Sequence, residues 1–143
     1  MPIPAEYQRI HDHLYQFLLD TRELAGLGST HQAYTMIQGV FQTFRRRLKL
    51  HDSILFSNIL PAGIRALFVA EWDPDEPQLE FGHRSIMLSE VKSLRSDHNF
   101  STDTAIRDVA RALRKIVDLH LFEAVMLKLP AGAIEFWDPD FPD

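Results

Sequence analysis

The seven histidines have the most versatile chemistry in this chain, because imidazole binds metal ions and exchanges protons near neutral pH. His120 and Glu123 are three residues apart and share a face if the segment is helical, so together they could hold a metal ion. A di-metal site in a helical bundle needs two Glu-x-x-His pairs and two more glutamates. The sequence contains one such pair, from Glu80 to His83. We therefore favour a structural role, with His51 and His120 at the C-terminal end of a long helix, where a cation meets the negative end of the helix dipole. No metal ion and no other cofactor is predicted.

Basic residues form a second candidate site. Arg45 and Arg46 lie in one cluster, and Arg107, Arg111 and Arg114 form a helical stripe in another. Such a stripe could bind an acidic partner or a phosphate. Basic residues are also common in the last turns of helices, where they oppose the dipole. A solvated basic face is the favoured interpretation, and partner binding is the alternative.

Two tryptophans each begin a Trp-Asp-Pro-Asp-x-Pro segment, at residues 72–77 and 137–142. The alternating acids resemble a calcium loop, but the glycine at its sixth position and the glutamate at its twelfth are absent. We predict that the indoles pack at the end of a helical bundle, with an exposed anchor for a partner as the alternative. The candidate interaction residues are thus Trp72, Trp137, Arg45, Arg46, Arg114, His51 and His120.

Composition excludes several classes of function. The 143 residues include no cysteine, so disulfides, thiolate zinc sites and cysteine nucleophiles are ruled out. Fifteen Lys and Arg against 20 Asp and Glu give a net charge of −5, which argues against nucleic-acid binding. No apolar run is long enough for a membrane span, and no targeting segment precedes the first helix, so we expect a cytoplasmic protein. Neither a serine-nucleophile elbow nor a phosphate-binding glycine loop is present.

Hydrophobic periodicity predicts helices throughout. Residues 5–25 form a first helix with Tyr7, Ile10, His11, Leu14, Phe17 and Leu18 on its inner face. Ser29 caps a long second helix, Asp52 a short third, and Pro61 begins a fourth. The proline-rich stretch 73–85 predicts a linker, after which Ser101 caps another long helix. The short apolar runs at 66–72 and 122–129 also suit buried strands, but the long neighbouring helices favour helix.

The order of elements repeats. Residues 33–63 and 102–132 align without a gap at ten identical positions in 31, including the string Leu-Pro-Ala-Gly at 60–63 and 129–132. We therefore predict an all-α bundle of about eight helices in two related four-helix halves, residues 1–72 and 86–143, packed as one globular unit. Within each half the long helix should be the most buried, through Ile37, Val40 and Phe44 or Ile106, Val109 and Leu113.

The segment Leu-Pro-Ala-Gly-Ile-Arg-Ala-Leu-Phe at 60–68, with Trp-Asp-Pro at 72–74 and Arg-Arg-Arg-Leu at 45–48, resembles the bacterial domain of unknown function 2267 family. The second half resembles it less, since Ile134-Glu135 replaces the Arg-Ala pair of the first. The resemblance implies a small helical fold that often repeats its unit, without an assigned activity or a catalytic residue.

Two functional hypotheses follow. The favoured one is a non-enzymatic module that binds an unknown protein partner or a second copy of itself, as a homodimer. The alternative is a small-molecule or metal-dependent enzyme whose site lies between the two halves and uses His51, His120 or the arginines.

Overall fold

A computed structural model describes residues 3–142, and these contain nine α-helices, one short 3-10 helix and no β-strand. The helices are α1 (Ala5–Gln8), α2 (Ile10–Ala25), α3 (Thr30–Arg45), α4 (Leu50–Asn58), α5 (Ala62–Val69), α6 (Arg84–Ser93), α7 (Ala105–Ile116), α8 (Leu119–Met126) and α9 (Ala131–Phe136), with the 3-10 helix at Ser96–His98. The all-helical prediction is confirmed, and the two ambiguous apolar runs fall mainly in α5 and α8. None of the helices within residues 3–142 is both long and apolar enough to cross a membrane.

The core is built around α3 and α7. All of α3 from Thr35 to Arg45 is buried, and α3 packs against α2, α5, α6 and α7. Complete burial of Ile37, Val40 and Phe44, and of the three corresponding residues in α7, confirms the prediction that the long helices are central. Helix α2 packs against α3, α5 and α7 and so covers both long helices.

An aromatic cluster fills the centre of the core. The indole of Trp137 lies 5.1 Å from the Phe44 ring and 5.6 Å from the Phe56 ring, measured between centroids. Phe41 and Phe136 complete its surroundings. Because aromatic side chains bury large apolar areas and pack well edge to face, this cluster ties α3 and α4 to α9.

A glycine sets the distance between α3 and α6. A Cβ atom at Gly39 would lie 2.8 Å from the main-chain oxygen of Val91. Any side chain at this position would therefore push the two helices apart. The same short distance places Val91, which is fully buried, directly on the surface of α3.

Helix beginnings were predicted with mixed success. The Ser29 hydroxyl accepts a hydrogen bond from the Gln32 main-chain N–H at 3.2 Å, so this cap is confirmed. Asp52 does not cap α4, which starts after Lys49, and Ser101 does not cap α7, which starts after Thr104. Four successive residues at 101–104 have cap-forming side chains, and local propensity does not choose among them.

Two more helix boundaries differ from the predictions. The first predicted helix is interrupted at Arg9, and its inner face is buried only at Phe17, with Tyr7, Ile10 and His11 exposed. Helix α6 begins at Arg84, inside the predicted linker, because the His83 ring accepts a hydrogen bond from the Ser85 main-chain N–H and caps it.

The predicted helix-end position of the two histidines is wrong. Helix α3 ends at Arg45, and α4 starts at Leu50, so His51 is the second residue of α4; His120 is likewise the second residue of α8. Both lie at a helix N-terminus, where the dipole disfavours a positive charge. A signal that could have revealed this is Asp118, which caps α8 by accepting a hydrogen bond from the Leu121 main-chain N–H.

The helices α4 and α5 start exactly 69 residues before α8 and α9, the offset of the sequence alignment. The capping prolines Pro61 and Pro130 have nearly identical backbone angles, φ −55° with ψ 149° and φ −55° with ψ 151°. Descent from a duplicated unit stays a prediction that these matches support.

Candidate interaction sites

Arg45 lies inside the protein, with 2% of its surface exposed. Its guanidinium donates to the main-chain oxygens of Phe68 and Ala70, both at 2.8 Å, and of Glu71 at 3.0 Å. Burial lowers the pKa of Arg45 from its ordinary value, although the nearby Glu76 carboxylate opposes this shift. These bonds satisfy carbonyls that the end of α5 leaves without helical partners. Arg45 therefore anchors α5 to α3 and is not available to a partner, contrary to its place among the candidate interaction residues.

The guanidinium of Arg45 also lies 5.2 Å from the centroid of the Trp72 ring, close enough for a cation–π interaction. Trp72 is partly exposed at this point, where it lines a surface cleft of about 230 Å³ at the end of α3. The structure thus brings together Arg45, Arg46 and Trp72, three of the candidate residues.

The cleft carries charges of both signs. Arg46 Nε lies 3.3 Å from a carboxylate oxygen of Glu76, so part of its charge is neutralised. Lys49 and Asp73 also line the cleft, and Leu48 and Pro74 supply apolar surface. Such a mixture suits a small polar ligand or a short peptide better than a purely anionic one, because Glu76 would repel anions from Arg46.

The corresponding residues of the second half have different surroundings. Arg114 donates from Nε to the Trp137 main-chain oxygen at 2.9 Å and from Nη1 to Glu123 at 2.6 Å. Its guanidinium lies 5.0 Å from the centroid of the Phe122 ring. Trp137 is completely buried, so it belongs to the core and offers no surface to a partner. Of Arg114 and Trp137, only Arg114 is partly exposed.

The remaining basic stripe is partly neutralised. Arg111 Nη2 lies 3.9 Å from Asp140, which joins α7 to the C-terminal segment. Asp108, on the same helix, is buried and interacts electrostatically with Arg107 and Arg111. Asp103, which lies close in sequence to Arg107, pairs with Lys92 of α6.

His51 and His120 are exposed and belong to different helices, and neither lines the cleft beside Trp72. His51 Nδ1 lies 3.2 Å from the Asp52 carboxylate. Throughout residues 3–142, no group of three or more His, Cys, Asp or Glu side chains converges as a metal site would require. Glu123, which shares a predicted helix face with His120, forms an ion pair with Arg114.

One histidine forms a contact that superficially resembles a nucleophile and its base. His83 Nδ1 lies 2.8 Å from the Ser85 hydroxyl. The same nitrogen accepts the Ser85 main-chain N–H, and both side chains are exposed at the start of α6. Because catalysis requires the base to be oriented by a third group in a sheltered site, this contact is a helix cap.

Exposed apolar side chains stand at four positions of α4 and α8 that the sequence did not single out. They are Leu50 and Ile54 on α4 and Leu119 and Leu121 on α8, each about half exposed or more. We call these four residues the outer face. The two helices are adjacent, since the Phe56 and Phe122 rings lie 6.3 Å apart and Leu121 lines one cleft with residues 58–60. The four-residue spacing of Leu50 and Ile54, on a different side of α4 from the buried Phe56, is the signal that could have identified it.

The fold and these surfaces define a small helical protein whose arginines hold helix ends inside the bundle. Residues 14–136 match the model of a family described as "Uncharacterized conserved protein (DUF2267)". Because the match spans most of the chain, the protein belongs to this family, as the resemblance at residues 60–68 predicted. No curated protein matches the chain.

Proposed function

We propose that the protein is a non-enzymatic interaction module that binds a protein partner through the outer face. The observation that carries the proposal is the exposure of four large apolar side chains on two adjacent helices. Scattered exposed leucines are ordinary, but apolar side chains grouped on adjacent elements are typical of protein contact surfaces.

The helices α4 and α8 have no structural need for these residues. Each helix already inserts a fully buried phenylalanine, Phe56 or Phe122, into the core. Polar residues are common at such exposed positions of surface helices. Leu50, at 67% exposure, contributes little to folding and is free to contribute to binding.

The experiment is purification of the tagged full-length chain from its native host, comparing wild type with Leu119→Asp/Leu121→Asp, because neither residue lines the cleft beside Trp72. Both substitutions fall in the first turn of a helix, where an acid is electrostatically favourable, so folding should be retained. The matched control is Ile86→Asp, because Ile86 is 65% exposed and also lies in the first turn of a helix, α6.

We expect a partner that wild type and the Ile86→Asp control retain in equal amounts and that the outer-face variant loses. Equal retention by all three proteins would contradict the outer face as the binding surface. Circular dichroism of the three proteins shows whether each is folded.

The alternative of a small-molecule site has one observation in its favour, the cleft that gathers Arg46 and Trp72. This cleft lies at the end of α3 and is lined by residues 45–46, 48–50, 72–74 and 76–78, with neither His51 nor His120 among them. Ligand binding there would change Trp72 fluorescence, against a constant background from the buried Trp137. Titration with amino acids and short peptides tests it, and a saturable change abolished by Arg46→Ala would favour this candidate.

A further inference from the structure

The corner between α8 and α9 exposes two large apolar side chains to different degrees. Leu127, immediately after α8, is 81% exposed, the largest fraction for any large apolar side chain in that range. Ile134, in the second turn of α9, is 41% exposed. The two residues flank the tight connection Lys128–Pro130, which joins the helices.

The corresponding corner of the first half has polar residues at the two positions that are apolar in the second, and the apolar Ile59 and Ala66 where the second has Lys128 and Glu135. The same Leu-Pro-Ala-Gly string joins α4 to α5, and its proline has the same backbone conformation. Two residues before this string stands Asn58, where the second corner has Leu127. Two residues after it stands Arg65, where the second corner has Ile134.

Arg65 shows what the first corner does for the fold. Its guanidinium donates to the main-chain oxygens of Ser57 at 2.9 Å and Leu60 at 3.0 Å, and so completes the end of α4. Ile134 has no donor for this purpose. The second corner therefore lacks the two hydrogen bonds that Arg65 donates in the first corner. Ile134 exposes apolar surface at the corresponding position.

Each exposed apolar residue has a charged neighbour in the sequence, and the two charges are of opposite sign. Lys128 adjoins Leu127, and Glu135 adjoins Ile134, and both side chains are exposed. Among residues 3–142, neither charged group forms an ion pair or a side-chain hydrogen bond. One half of this patch is thus the electrostatic complement of the other half.

We infer that this corner, Leu127, Lys128, Ile134 and Glu135, binds the same corner of a second copy of the chain across a two-fold axis. In such an interface each residue meets its complement twice, so Lys128 of one protomer faces Glu135 of the other and the reverse. The paired charges also make the patch locally neutral, which lets two molecules of net charge −5 approach there. The inference deepens the proposed function, on which it rests for the assumption that the protein acts through protein contacts.

The test is analytical ultracentrifugation of the full-length chain over a concentration series reaching about 1 mM, where even weak dimers are half formed. Wild type should show a reversible monomer–dimer equilibrium. Leu127→Asn/Ile134→Arg should raise the dimer Kd about tenfold or more, since it removes the apolar centre. These are the residues of the first corner, which folds with them. Ile86→Arg, at another exposed apolar position, should leave the Kd unchanged.

Charge reversal provides a second test that does not depend on the apolar residues. Lys128→Glu and Glu135→Lys should each weaken the dimer, because each places like charges opposite one another twice. The double variant should restore it. A strictly monomeric wild type, an unchanged Kd in Leu127→Asn/Ile134→Arg, or no restoration in the double charge variant would each overturn the inference.

These outcomes are separate from a failure of the proposed function. A monomeric chain that still captures a partner through Leu119 and Leu121 of the outer face would contradict self-association and leave the proposed function standing. A chain that dimerises through the corner but binds no partner through the outer face would contradict the proposed function and leave the inference about the corner standing.

Discussion

Arg45 and Arg114 occupy matched places in the two aligned segments, yet their energetic roles differ because their burial differs. Arg45 donates three hydrogen bonds to main-chain oxygens from a buried position, whereas Arg114 is partly exposed and pairs with the exposed Glu123. A charged group at a buried position is costly to remove when its partners are left unsatisfied, and an exposed pair is worth little.

We therefore expect Arg45→Met to lower the free energy of unfolding by about 3 kcal/mol or more, since it strands several carbonyls. Arg114→Met should lower it by only about 1 kcal/mol. Urea denaturation of both variants measures the difference. Equal losses would show that Arg45 does not anchor α5.

We expect a similar contrast in stability between substitutions of the two tryptophans. Trp137→Ala should cost about 3–5 kcal/mol, because it opens a cavity among Phe41, Phe44 and Phe56. Trp72→Ala should cost clearly less, since its ring is partly exposed at the cleft. Thermal unfolding followed by circular dichroism compares them, and a larger loss for Trp72→Ala would refute the assignment of Trp137 to the core.

Sequence reasoning identified the chemistry of these residues but not their burial. Arg45 was interpreted as part of a solvated basic run because it adjoins Arg46 and Arg47. Its burial follows from the position of the α5 carboxyl end, a contact over 23 to 26 residues that no local pattern encodes. Trp137 was expected to pack at the end of the bundle. It lies at the centre of the core, where its ring packs against Phe41, Phe44 and Phe56.

At the scale of elements, the contact between α3 and α6 depends on a missing side chain. Gly39→Ala should gain about 1 kcal/mol in helix propensity but place its Cβ 2.8 Å from the rigid main-chain oxygen of Val91. The steric cost should dominate, so we expect a net loss of about 1–3 kcal/mol. Gly82→Ala is the control, because a Cβ there meets nothing within 4 Å. Chemical denaturation of both variants measures the change in the free energy of unfolding. A Gly39→Ala variant more stable than wild type would mean that α3 and α6 lie farther apart.

Asp108 makes the stability of α7 depend on pH. Its carboxylate accepts a hydrogen bond from the Thr104 hydroxyl at 2.7 Å, but burial raises its pKa above the ordinary 3.8, against the effects of Thr104, Arg111 and Arg107. Between the unfolded and the higher folded pKa, the folded chain holds a proton that the unfolded chain has lost. The contribution of Asp108 to the free energy of unfolding is therefore fully present below the unfolded pKa and is lost as the pH rises through the folded pKa.

Asp108→Asn removes this titration. We expect its stability relative to wild type to improve as the pH rises from about 3.5 to about 7. Denaturation curves at several pH values provide the measurement, with Asp97→Asn at an exposed position as the control. A stability difference that stays constant, or that shrinks as the pH rises, would contradict the raised pKa.

Helix periodicity predicted most elements, because the long amphipathic helices α2, α3 and α7 have strong patterns. Boundaries were harder wherever several capping residues compete, as before α7, or where no glycine marks a break, as between α3 and α4. The resulting error in the position of α4 placed His51 at the wrong end of a helix. The outer face escaped notice because an exposed leucine and a buried leucine look alike until the packing of α4 and α8 is known.

At the scale of the whole molecule, stability and interaction are separated in space. Arginines, phenylalanines and Trp137 hold the helices together inside the protein. The outer face and the corner formed by residues 127–135 remain exposed. The net charge of −5 opposes close approach of two copies in general. Under the proposed function, the prominent Arg45 and Trp137 serve the fold, and leucines and isoleucines at the surface serve binding.

The most direct test of this account is site-specific photo-crosslinking in the native host. A photoreactive amino acid replaces, one at a time, Ile54 and Leu121 of the outer face, Ile86 of α6 and Trp72 of the cleft. The account predicts that the proteins substituted at 54 and 121 crosslink to the same protein partner, while those substituted at 72 and 86 do not. Crosslinks that form only from position 72, or equally from all four positions, would contradict it.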